Sequence, residues 1–119
     1  MQIIALEHER RSFAEMESDS VLRAEARTLW ALQQQGFVRA AYFRGDRREA
    51  VLVLEAQNVG ECEAQLSRLP LVQGGYIQFE LIPLVPYDGF ARLFENLTQQ
   101  DDATSRAIGE AKSSTRLRH

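Results

Sequence analysis

The stretch LPLVQGGYIQFELIPLVPYDGF, residues 69–90, decides how the rest of the chain is read. It places a glycine pair, Gly74-Gly75, ahead of a run from Tyr76 to Leu84. A phosphate-cradling loop would carry a GxGxxG or GxxxxGK[ST] pattern and lead into a helix whose N-terminus binds the anion. Neither pattern is present, and the pair leads into a strand. It is a turn, with glycine supplying a positive φ. Pro70 stops a preceding helix. Pro83 removes a ladder donor, which an edge strand tolerates, and Pro86 stiffens the exit. The stretch is therefore helix stop, turn, edge strand and launch of a C-terminal arm.

Working back from it, Ala50 to Ala56 is a strand, joined through a Gly45-Asp46 turn to a strand from Phe37 to Arg44. Between the third and fourth strands lies a helix with Val59, Cys62, Leu66 and Leu69 on one face. Asn58 with Glu61 three residues on makes a near capping box at its start. Gln2 to Leu6 is the first strand, followed by a charged loop over 9–17. Ser18 or Asp19 caps a helix to Gln35, because a side-chain oxygen there satisfies free N–H groups. Leu22, Ala26, Leu29 and Trp30 form its apolar stripe, and Gly36 follows at the left-handed position after the last turn. The order is β-α-β-β-α-β, the ferredoxin-like α+β arrangement. It predicts a four-stranded antiparallel sheet with both helices on one face. Residues 1–97 form one domain. Its arm, 88–97, is a helix capped by Asp88 with Phe90, Leu93, Phe94 and Leu97 on one side. Residues 98–119 are a polar tail, with a possible helical piece near 103–111.

The chain has 119 residues, enough for one domain. Its net charge of −3 leaves no basic surplus to neutralise phosphates, which argues against a nucleic-acid partner. The single cysteine, Cys62, has no internal disulfide partner and fits a reducing cytoplasm. MQIIALEHERR has an apolar run too short for a signal peptide or a membrane span, so no membrane association is expected. AVLVLEA and IIAL are apolar on both faces of their strands, whereas a sheet with one wet face should alternate. Two helices cover one face only. A second copy of the sheet is the simplest cover for the other, so a homodimer or larger assembly is expected. The alternative is that the arm folds back over its own sheet.

ALQQQGFVRAAYFRGD (31–46), LSRLPL (66–71), YIQFELIPL (76–84) and the following Pro86 resemble the muconolactone isomerase-like branch of the dimeric α/β-barrel superfamily. The likeness covers about residues 20 to 94. It departs from the isomerases at Gly74-Gly75, where they carry an aromatic-proline-tyrosine segment, and at Tyr42-Phe43, where they carry a tryptophan. The resemblance implies a ferredoxin-like protomer, two sheets facing each other as a dimeric barrel, and cofactor-free chemistry. Lactone isomerases, small oxygenases and proteins with no assigned activity all belong to that superfamily.

His8 is the main candidate for chemistry, just past the first strand, with an unperturbed pKa near 6.5 suited to proton transfer. The topology brings it toward Tyr42, Arg44, Tyr76 and Gln78. Glu80 shares a strand face with Tyr76, Gln78 and Ile82, and is either a second base or a charge at a wet edge. Arg39 is either an anchor for an anionic substrate or an ion pair with Glu55 across the hairpin. Trp30 either roofs a pocket or, as its helical spacing suggests, is core. Cys62 is a small core residue on the buried stripe of its helix. His119 stands idle in the tail. No His, Cys and acidic set has metal-ligand spacing. Three functions follow: a cofactor-free isomerase acting on a small lactone or aromatic-derived acid, with His8 or Glu80 as base and Arg39 or Tyr42 orienting the anion; a non-catalytic small-molecule-binding or assembly protein; and a cofactor-free oxygenase with an apolar pocket drawn from Trp30, Phe43 and Phe79.

Overall fold

The computed structural model describes residues 1–12 and 19–98, with the side chains of residues 95–98 outside that description. Its elements are β1 (Gln2–Glu9), α1 (Asp19–Gln34), β2 (Val38–Phe43), β3 (Ala50–Glu55), α2 (Val59–Leu66), α3 (Pro70–Gln73), β4 (Ile77–Pro83) and α4 (Ala91–Thr98). The strands form one sheet in the order β2-β3-β1-β4, and every neighbouring pair is antiparallel. This α+β order is consistent with the ferredoxin-like expectation. The described residues fall into two units, divided between Val85 and Pro86. The expected cap at residue 18, the helical piece near 103–111 and His119 lie outside the described residues.

Strand pairing sorts the side chains onto two faces, because residues directly opposite in an antiparallel pair point the same way. Ile3 and Ala5 face Leu54 and Leu52 on one side of β1, where Glu7 follows at the level of Ala50, and Ile3, Ala5 and Glu7 face Pro83, Leu81 and Phe79 on the other. With Val38 they meet the helices. Ile3, Ala5, Leu52 and Leu54 are buried together with Leu32 of α1, Cys62 and Leu66 of α2, and Leu69. The other face carries Ile4, Leu6, Val51 and Val53, which are half-buried, and Ile82, which is exposed. Apolar residues on both sides of β1 and β3 are thus present as the sequence requires.

Local rules hold at the element ends. Gly36 has φ +86° and Gly75 φ +76°, both in the left-handed region that favours glycine. Asn58 accepts a hydrogen bond from the Glu61 amide at 2.8 Å, and the Glu61 carboxylate accepts one from the Gln57 amide at 2.6 Å. Several boundaries move, among them α4, which starts at Ala91 and not directly after Asp88. β1 continues to Glu9, so His8 lies within the strand and not beyond it. Pro70 does not directly terminate α2, which ends at Leu66; it opens the short α3 as its first residue, where a missing N–H costs nothing.

The largest departure concerns α1. Leu22 and Trp30 are 46% and 61% exposed, so Trp30 is not core. The inward face instead runs through Val21, Glu25, Thr28 and Leu32, the last fully buried, while Leu29 of the expected stripe does pack against the core. Glu25 hid this stripe from a hydrophobicity count. Its carboxylate accepts a hydrogen bond from the Leu71 amide at 2.9 Å, which gives a charged residue a structural place on the inward side.

Candidate functional site

The register arranges this half-buried sheet face in rows. Tyr42, Val51, Leu6 and Glu80 form one row across all four strands. Ala40, Val53, Ile4 and Ile82 form the next. On the other side of the first row, His8 stands opposite Gln78. Continuing the register beyond the strand ends sets Arg44 and Glu49 at that same level, where the Arg44 amide donates to the Glu49 carbonyl at 2.9 Å. The face is therefore an apolar floor with a polar end.

His8 and Glu80 meet at that end. His8 Nε2 lies 3.0 Å from Glu80 Oε1, a diagonal pair across β1 and β4. When Nε2 carries the proton and donates to the carboxylate, the lone pair sits on Nδ1, which can then accept a proton. The carboxylate would stabilise the resulting imidazolium. The side chains are 45% and 56% exposed, so water screens the pair. Arg10, immediately beyond β1, donates from Nη1 to the Gln78 side-chain oxygen. Glu49 is held below the usual carboxylate range, first by the Glu9 amide, then by Arg47, with His8 a smaller contribution.

The other candidates are distributed unevenly. Tyr42 is on the same face, 62% exposed, but two strands from β1. That separation is about 10 Å at the usual inter-strand spacing. Tyr76 lies just before β4, where its carbonyl accepts from the Arg10 amide at 2.7 Å and its ring stacks under the Arg11 guanidinium at 4.4 Å. Arg39 is the extra residue of a bulge in β2, toward the far end of the face, and its Nε donates to the Gly36 carbonyl at 2.6 Å. The expected Arg39–Glu55 ion pair is not formed; Glu55 instead pairs with the N-terminal ammonium at 2.7 Å. Trp30 projects from α1 into solvent, Phe43 is 54% exposed under Arg48, and Phe79 packs against the core, so these three aromatics do not make one pocket. Cys62 is fully buried, and that burial pushes its thiol up to about 11.

Glu7 was not singled out by sequence. It is the one buried charged residue among those described, on the helix side of β1. Its carboxylate accepts from the Ala50 amide at 2.9 Å, and burial raises its pKa despite that bond. Its alternation with Ile3 and Ala5 was the available signal. Glu49 and Arg10 escape a reading that ends the first strand at Leu6, because β1 runs to Glu9. Among the described residues no group of His, Cys, Asp and Glu is placed to hold a metal ion, and no helix is long and apolar enough to cross a membrane. Neither a protein-family model nor a curated protein matches the sequence.

Proposed function

We propose that the chain is a muconolactone isomerase-like protein whose second, half-buried sheet face is the floor of a small-molecule site, closed by a second copy of the chain. The observation that carries this is the His8–Glu80 hydrogen bond at 3.0 Å, set at the edge of an apolar floor. A homodimer joined face to face would bury Ile4, Leu6, Val51, Val53 and Ile82 and form a dimeric barrel. It would also remove water from the pair, strengthening its electrostatics. The substrate is a small lactone or aromatic-derived acid. His8 takes a proton from carbon, giving an enolate and an imidazolium held by Glu80, then returns that proton to a different carbon. The reaction is an isomerisation with no redox change and no cofactor. Arg10 and Gln78 are nearer this end than Arg39, and suit the substrate's anionic group better.

A second reading, a binding protein without turnover, draws support from the half-exposure of both side chains in a single chain. A cofactor-free oxygenase has less support, since Trp30, Phe43 and Phe79 are dispersed. The test follows muconolactone isomerisation by ultraviolet absorbance for the native protein, His8→Ala and Glu80→Gln, with oligomeric state measured by sedimentation velocity. Saturable turnover by a dimer, lost in His8→Ala and reduced in Glu80→Gln, is the expected result. A folded dimer that binds but does not turn over supports the binding protein. A monomer at all concentrations overturns the shared site.

A further inference from the structure

Tyr42 shares a sheet face with His8 and Glu80 but stands too far away to reach them within its own chain. It lies in one row with Val51, Leu6 and Glu80, and the order β2-β3-β1-β4 sets Tyr42 at one edge of that row and Glu80 at the other. Three inter-strand spacings separate them, about 14 Å. The Tyr42 side chain is 62% exposed, and its hydroxyl has no hydrogen-bond partner among the described residues. A tyrosine that becomes buried usually finds a partner for that hydroxyl. At the far edge, Glu80 gives Oε1 to His8 Nε2 at 3.0 Å, and Oε2 is left over.

Two orientations join this face to itself about a twofold axis between the sheets. With the axis across the strands and centred on the apolar rows, each β4 faces the partner's β4. Glu80 then meets Ile82 or Glu80 of the partner subunit, an apolar group or a like charge, and both are unfavourable for a carboxylate. With the axis along the strands, β4 faces the partner's β2 and each row faces itself reversed. Leu6 then meets the partner's Val51, and Ile4 meets the partner's Val53. Ile82, which is 37% exposed, meets the partner's Ala40, a small side chain opposite a large one. Glu80 meets the partner's Tyr42. Apolar groups thus lie on apolar groups, and an unpaired donor lies on an acceptor left over. Facing sheets stand about 10 Å apart, a gap that a tyrosine and a glutamate extended toward each other can close.

We infer that each site is built from both chains, with Tyr42 of the partner subunit donating its hydroxyl to Glu80 Oε2. Glu80 so held keeps Oε1 turned to His8, which makes Tyr42 a positioning residue. The inference rests on the reading of this face as closed by a second copy, and not on the isomerase chemistry.

The test replaces Tyr42 and Glu80 by cysteine, singly and together, and treats each full chain with a short bismaleimide. The sole native cysteine, Cys62, is buried and does not compete. The next row supplies a second pair, Ala40→Cys with Ile82→Cys, which leaves Tyr42 and Glu80 in place. Each double variant is expected to give a covalent dimer on denaturing gels, about tenfold more than either of its single variants. Equal cross-linking by single variants marks the crossed orientation and overturns the inference. Sedimentation velocity of the native protein separates the remaining outcomes. A native dimer whose double variants give no covalent product overturns the inference and leaves the closed face standing; a native monomer overturns both. Where the native protein turns muconolactone over, Tyr42→Phe should lose about tenfold. Coexpressing it with His8→Ala should restore about a quarter of native turnover, because about half the dimers are mixed and each carries one intact site. No restoration, with both variants folded by circular dichroism, places Tyr42 outside the partner's site and overturns the inference.

Discussion

Truncating two neighbouring residues of α1 tests the orientation of that helix. Leu32 is fully buried and Trp30 is 61% exposed. Removing a buried leucine side chain loses its transfer energy and leaves a cavity, a cost of about 2–5 kcal/mol. Leu32 is among the largest fully buried side chains, so Leu32→Ala is expected to cost about 3 kcal/mol. A fully buried tryptophan would cost about 3–5 kcal/mol. Trp30 keeps only the remaining 39% of its surface covered. Scaling by that fraction gives roughly 1–2 kcal/mol, and an extended unfolded reference makes this an upper figure. The larger deletion is thus the milder one. At about 4 °C per kcal/mol, Leu32→Ala should lower Tm by about 12 °C, and Trp30→Ala by about 4–8 °C at most. Far-ultraviolet circular dichroism at one protein concentration measures both, and does not depend on the tryptophan being present. As the sole tryptophan, Trp30 should also be readily quenched by iodide in the native protein. If Trp30→Ala costs as much as Leu32→Ala, or the fluorescence is shielded, α1 is rolled the other way and Leu22, Ala26 and Trp30 face the sheet beside Leu29 after all.

Three more outcomes follow from named contacts. Burial raises the Glu7 pKa above its ordinary 4.5, so the folded state binds the proton more tightly than the unfolded state. Stability from this group is then full below the unfolded pKa and is lost as pH rises through the folded value. Glu7→Gln keeps an oxygen for the Ala50 amide and removes the charge; it should be more stable than the native protein at about pH 7 and lose that advantage near pH 4 in urea titrations. Asn58→Ala removes the acceptor for the Glu61 amide and should destabilise the chain by about 1 kcal/mol, measured as a lower urea midpoint at unchanged slope. Cys62 is fully buried with its thiol pushed up to about 11; iodoacetamide should leave it unmodified in the native protein near pH 8 and alkylate it only on unfolding. Rapid native alkylation would place it at the surface.

The element order was legible in the sequence because its signals are local. Gly36 and Gly75 mark positive φ, Asn58 caps the Glu61 amide three residues on, and Pro83 marks the edge. Each depends on backbone geometry and near neighbours, which the sequence spells out directly. The half-buried residues on the second face of β1 and β3 were legible too, since alternation has a period of two and AVLVLEA breaks it. The rotation of α1 was not. Glu25 sits on the inward face because the Leu71 amide, 46 residues away, comes to its carboxylate, and a hydrophobicity pattern records no such partner. The same holds for His8. Its residue type announced a possible base, but its neighbour within hydrogen-bonding distance, Glu80, is 72 residues distant and is set by the β1–β4 register. A one-residue slip in that register would move Glu80 to the opposite face. The sequence by itself therefore determined which elements form and in what order. Only the tertiary structure decided which side chains meet, because those meetings depend on register and helix rotation, and both are selected by the packed core as a whole.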